Sequence, residues 1–236
     1  MYIPWLVGLD LGQMADPSAL AIASRRIDTW GHVQRQTYQI RHLERFQLGT
    51  PYPEIVEQVR ARLAALPKPH RWDELQASRR LPLDGPVLLR KPYELILDVT
   101  GVGRPVADMF RALDTWPIMV TMTHGFNMSM PKRDEVHLPK VQLISAFQVA
   151  LQQQRVQVAR GLPESATLIK EAVNFQYKMS EKTGDEQYGA WREGTHDDLL
   201  FAACLAVWWG ERTAPPQQTK QVQTHAKGTG NVLVRR

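Results

Sequence analysis

One cysteine, Cys204, stands among 236 residues, so no intrachain disulfide can form; a reducing, cytoplasmic setting is the expectation, and a thiolate zinc centre is not. Long apolar runs are missing too. The longest, Leu199 to Trp209, falls short of the roughly 20 residues that a spanning helix requires, so no membrane partner is expected. The start, Met1 to Trp5, has no basic region ahead of its apolar run and reads as the approach to a strand, not as a signal peptide. No G-x-x-x-x-G-K-[ST] phosphate loop occurs, which excludes that kind of ATP-driven motor from these residues. There is no internal repeat.

Positive charge is present but unevenly spread. The net charge is +5, and residues 211 to 236 hold Arg212, Lys220, Lys227, Arg235 and Arg236 against Glu211 alone. The body is therefore nearly neutral, and phosphate binding there must rest on local patches and bound cations, not on a global field. One such patch is the basic stretch from Lys68 to Lys91, within a proline-rich, aperiodic excursion. The 43% hydrophobic and 22% charged fractions are those of an ordinary globular protein.

The pattern along the chain predicts three strands in a meander, at residues 5–11, 19–27 and 32–41, then a helix between Pro53 and Pro67 with Ile55, Val59 and Leu63 on its buried face. After the excursion come a strand at 93–99, a helix at 104–113, a strand at 116–123, a helix at 138–154, a short strand at 156–159 and a helix at 164–177 with Leu168, Ala172 and Phe175 on one side. Residues 178–195 are polar and glycine-containing, suited to a hairpin, and a last helix runs from 196 to about 211. Residues 1–210 form one expected domain; 211–236 lack apolar periodicity and read as a flexible basic tail. A meander followed by alternating helices and strands is the order of a ribonuclease-H-like α/β fold: a mixed sheet flanked by helices, with the first strand beside the fourth.

That order gives three acidic patches a common destination. Asp10 ends the first strand, Asp98 ends the fourth, and Asp197 with Asp198 opens the last helix. Carboxylates favour hard divalent cations such as Mg2+ or Mn2+, and two ions about 3.5–4 Å apart can clamp the attacking and leaving oxygens of a phosphodiester. Asp10, Asp98 and Asp198 are the expected catalytic set, with Asp197 assisting as a fourth metal ligand. Asp198 shares a helical stripe with Ala202 and Ala206, small residues that let this face press against the sheet. Each has a plainer reading: Asp10 as a strand-ending turn residue, Asp197 as a helix cap. Gly8 and Gly12 permit close approach of backbone or phosphate, and Thr100 to Gly103, with Gly101 among them, lead into a helix N-terminus suited to phosphate. A dinucleotide fingerprint is excluded, because Val106 stands where its third glycine belongs.

The segments Gly8-Leu9-Asp10-Leu11-Gly12 with Asp16-Pro17-Ser18-Ala19, Leu97-Asp98-Val99-Thr100-Gly101-Val102-Gly103, Pro139-Lys140 ahead of a helix, and His196-Asp197-Asp198-Leu199-Leu200-Phe201-Ala202-Ala203 occur in one order and spacing. Over roughly residues 3 to 210 the chain thereby resembles the nuclease domain of phage terminase large subunits. The resemblance implies a RuvC-type endonuclease using two Mg2+ or Mn2+ ions, double-stranded DNA as substrate, and packaging partners: a separate ATPase, a small terminase subunit or a portal. It departs from complete large subunits in lacking the ATPase motif. Lys140 fits a DNA-phosphate contact or a solvated lysine; Asp16 supports the site or only its own turn; His196 fits a ligand, a base or a cap. The rival readings are a RuvC-like junction resolvase, a sugar-kinase-like ATPase, and an inactive nuclease fold serving as a DNA-binding or packaging scaffold.

Overall fold

A computed structural model describes residues 5–12, 16–30, 33–68, 92–179, 186–190 and 197–213. Ten strands and five helices are described: β1 (Trp5–Asp10), β2 (Ala19–Trp30), β3 (Val33–Arg45), α1 (Tyr52–Ala64), β4 (Tyr93–Asp98), α2 (Gly103–Ala112), β5 (Ile118–Thr123), β6 (Ser129–Lys132), β7 (Glu135–Pro139), α3 (Lys140–Gln152), β8 (Val156–Val158), α4 (Ser165–Asn174), β9 (Phe175–Met179), β10 (Glu186–Ala190) and α5 (Asp198–Arg212). Eight strands form one mixed sheet in the order β6-β7-β5-β4-β1-β2-β3-β8. β1 pairs antiparallel with β2 and parallel with β4, while β4, β5 and β7 run parallel to one another. The fold is the expected ribonuclease-H-like one.

The strand residues alternate between two cores, as a two-residue side-chain period requires. Val7, Leu9, Leu20, Ile22, Leu95 and Leu97 pack with Val56, Val59, Val106 and Phe110 of α1 and α2. On the opposite face, Leu6, Ala19, Ala21, Ala23 and Ile96 pack with α3 and α5. Covered on both faces, the central strands read as nearly continuous apolar runs. Helix α5 lies over β1 and β2 and is buried from Asp198 to Gly210, which is why its sequence is apolar all round.

The alanines of β2 and Gly8 of β1 let α5 approach. A Cβ on Gly8 would stand 1.9 Å from the carbonyl oxygen of Ala202 and 3.2 Å from the amide nitrogen of Ala206. The predicted stripe of Asp198, Ala202 and Ala206 is therefore the face of α5 that meets the sheet.

Four boundaries differ from the sequence expectation. β3 continues to Arg45, because it stays paired with β2 across a bulge between Ile22 and Ala23. Helix α3 begins at Lys140, since residues up to Pro139 are held as β7 against β5. The hairpin β6–β7 is an unforeseen edge: β6 is short and exposed, and Leu138 and Pro139 of β7 fall where the helix was expected to begin. Helix α4 stops at Asn174, and Phe175–Met179 pairs with Glu186–Ala190. There Phe175, Tyr177 and Met179 alternate at strand period, a signal that wins over the helical spacing upstream. The expected basic patch and C-terminal tail lie almost wholly outside the described residues.

Candidate metal centre at the strand ends

β1 and β4 run side by side with Leu9 paired to Leu97, so Asp10 and Asp98 leave the sheet together at its C-terminal edge. Period two puts both side chains on the face of Leu6 and Ile96, beneath α5. Asp198, in the first turn of α5, is only 6% exposed, and Asp197 precedes it at the N-cap position. The Asp197 side chain does not cap the helix, so the plainer reading of that residue finds no support in its geometry.

The electrostatics tie the four carboxylates together. Burial pushes the Asp10 pKa well above the usual carboxylate range, and the charges of Asp98, Asp198 and Asp197 push in the same direction. The contact with Asp98 raises Asp10 further and opposes the rise of Asp98. Asp98 is likewise raised by burial, against the opposing pull of Thr100, Asp10 and Lys140. Its Oδ1 accepts the Thr100 amide at 2.8 Å, and the Thr100 hydroxyl oxygen accepts the Met122 amide at 2.8 Å, fixing the β4–α2 turn against β5.

Among the described residues no group of three or more His, Cys, Asp or Glu is gathered closely enough to hold a metal ion. The chemistry of the acidic residues at this edge is nevertheless that of ligands for a hard divalent cation. They are the carboxylates of Asp10, Asp98, Asp197 and Asp198, and their mutual repulsion in a buried setting is what a positive ion relieves.

The other sequence candidates are placed as follows. Lys140 opens α3 with Nζ 4.2 Å from the ring centre of Phe201 in α5, close enough to lower the Asp98 pKa. Gly12 lies under the returning loop: a Cβ there would meet the Asp16 carbonyl oxygen at 1.9 Å, and its amide donates to Ser18 Oγ at 3.1 Å. Asp16 is exposed and lines a cleft of about 190 Å3 with Gly12, Ser18, Thr50 and Tyr52. Gly101 takes a positive φ of 78° in the turn after Asp98, and Gly103 packs against the Asp98 carbonyl oxygen. His196 lies outside the described residues.

Two residues here escaped the sequence reading. Glu171 of α4, 7% exposed, accepts the Leu200 amide at 2.9 Å and pairs with Arg45 of β3. Arg45 Nη2 also stands 3.6 Å from Asp198 Oδ2. Burial lifts the Glu171 pKa to about 7, with the Leu200 amide and Arg45 opposing and Asp198 and Asp197 assisting. Glu171 had a visible signal, a charge within the buried arc of Leu168, Ala172 and Phe175. Arg45 had none, because the strand carrying it was expected to end near Arg41.

A three-stranded meander, a parallel extension through β4, β5 and β7, and a closing helix over β1 and β2 define a ribonuclease-H-like fold. Among solved structures it shares its fold with the large terminase nuclease from thermophilic phage G20c. That match has 20% identity and a TM-score of 0.53, and covers 86% of this chain and 80% of that one. It is also similar to the HK97 bacteriophage large terminase, at 13% identity and a TM-score of 0.52, over 89% of this chain but only 40% of that one. No protein-family model matches the chain, and no curated protein matches it. No described helix is long and apolar enough to cross a membrane.

Proposed function

We propose that this chain is a metal-dependent endodeoxyribonuclease of the large-terminase type, cutting double-stranded viral DNA during genome packaging. The observation that carries the reading is the meeting of Asp10, Asp98, Asp197 and Asp198 at one sheet edge, close enough to perturb one another's ionisation. The fold shared with the phage G20c large terminase nuclease supports it.

In this reading Asp10 and Asp98 present oxygens from adjacent strands, and Asp198, with Asp197, presents oxygens from the helix above. Two Mg2+ or Mn2+ ions held by these carboxylates would supply Lewis acidity at the scissile phosphate and acidify the attacking water. Thr100 holds the orientation of Asp98 through its amide. Lys140, stacked on Phe201 beside the acidic edge, offers a positive charge to a DNA phosphate.

Conversion of supercoiled plasmid to nicked and linear forms tests the proposal, with Mg2+, Mn2+ or chelator, in wild type, Asp10→Asn and Asp198→Asn. Metal-dependent cutting lost in both variants is the expected result. A folded wild type that never cuts, or cutting that survives both substitutions, overturns it.

A further inference from the structure

The β2–β3 pair carries one extra residue: Ile22 faces His42 and Ala23 faces Ile40, which leaves Arg41 without a counterpart. A bulge of one residue reverses the faces of every side chain beyond it. Ile40 and Leu43 consequently both join the core beneath α5, although an uninterrupted strand would put them on opposite sides. Arg45, two residues past Leu43, is delivered to that same face, where it meets Glu171 and Asp198. Without the bulge its guanidinium would point toward α1.

Arg45 Nη2 is shared unequally. It hydrogen-bonds Glu171 Oε1 and stands 3.6 Å from Asp198 Oδ2, beyond hydrogen-bonding distance. The other Glu171 oxygen accepts the Leu200 amide in the first turn of α5. Glu171 thus grips the helix end that carries Asp198 while holding the Arg45 guanidinium beyond hydrogen-bonding distance of that carboxylate. Arg45 Nε is buried with no hydrogen-bond partner among the described residues, so this guanidinium is compensated chiefly by the two carboxylates.

We propose that Glu171 is a positioning residue for the metal centre: it anchors the start of α5 and retains Arg45, which would otherwise close onto Asp198 and compete with the divalent cation. The inference rests on the nuclease reading of the same site. It has an asymmetric consequence. Loss of the Glu171 charge frees Arg45 to occupy Asp198 and weakens metal binding, whereas loss of Arg45 removes the competitor and does not.

The test is Mn2+ titration followed by electron paramagnetic resonance, using wild type, Glu171→Gln, Arg45→Met and the double variant, each checked for folding by thermal melting. Methionine keeps much of the apolar arginine stem. Glu171→Gln is expected to raise the Mn2+ Kd about tenfold or more, the range typical for partners that orient metal ligands. Arg45→Met is expected to bind Mn2+ at least as tightly as wild type, and the double variant to recover most of the loss. A Glu171→Gln protein that binds as wild type does, or a double variant weaker than Glu171→Gln, overturns the proposal. So does an Arg45→Met protein with reduced affinity, and that arm stands even if the glutamine variant fails to fold. If wild type itself neither binds Mn2+ nor cuts DNA, the nuclease reading falls and this inference with it. If wild type binds and cuts and Asp198→Asn abolishes both, a failed pattern removes the positioning inference alone.

Discussion

Gly8 and Ala202 sit backbone to backbone: the place where a Gly8 Cβ would be is 1.9 Å from the Ala202 carbonyl oxygen. The obstruction is main chain of a buried helix, which no rotamer change relieves. Gly8→Ala must therefore lift α5 off β1, and with it Asp198 off Asp10. A loss of about 1–3 kcal/mol, the usual range for overpacking, is expected in urea unfolding, as a lower midpoint with an unchanged slope. Residual metal-dependent cutting should fall further than stability does.

Asp10→Asn should abolish the proposed metal-dependent cutting and stabilise the metal-free fold. Burial and three neighbouring carboxylates disfavour the charged form of Asp10, and a neutral amide removes that penalty. Calorimetry in chelator should show an increase of about 2–4 °C in Tm for each kcal/mol relieved. A lower Tm in chelator contradicts the proposed repulsion.

The stability of the metal-free protein should decline as pH rises through neutrality. The folded-state pKa values of Asp10, Asp98, Glu94 and Glu171 lie above their ordinary values, so their contributions are complete below the unfolded carboxylate range and disappear as pH climbs through the folded values. For Glu171 that window runs from the ordinary glutamate value of 4.5 to about 7. Glu44 and Glu135 are shifted downward, and their opposite contributions change only below the ordinary carboxylate range. Urea midpoints measured in chelator from pH 5 to pH 8 should fall, and saturating Mn2+ should flatten the slope by neutralising the acidic edge.

In the last turn of α5, the Trp209 indole donates to Glu94 Oε2 at 2.6 Å, and Glu94 is 6% exposed. Burial raises the Glu94 pKa against the opposing effects of that bond and of Arg25. Trp209→Phe leaves the carboxyl without this donor, at an expected loss of about 1–3 kcal/mol. Glu94→Leu in the Trp209→Phe background should recover much of it, since the buried polar group is then gone. A double-mutant cycle with no coupling would contradict the assigned pairing.

Much of the architecture was readable from pattern. The apolar runs of β1 and β4, the helical spacing of α1 and the all-apolar α5 each arise from burial on both faces, one face or all round, and burial leaves a period in the sequence. The order of these elements was enough to expect Asp10 beside Asp98 and α5 above them. The ends were less readable. α4 and β9 share one apolar stretch, and the change of period from helix to strand falls inside it, at Asn174 and Phe175.

Composition and periodicity thus specified the sheet, the helices over it and the acidic residues at its edge, because hydrophobic burial acts locally and repeats with the geometry of each element. What lay beyond them was set by pairing between distant segments. The extra residue at Arg41 exists only relative to Ile22 and Ala23 of another strand, and it alone turns Arg45 toward α5. Glu171 joins the same centre because α4 packs beside α5, placing its carboxylate between the Leu200 amide and that arginine. Register and helix docking are relations between segments far apart in the chain, and neither leaves a periodic trace within a single segment.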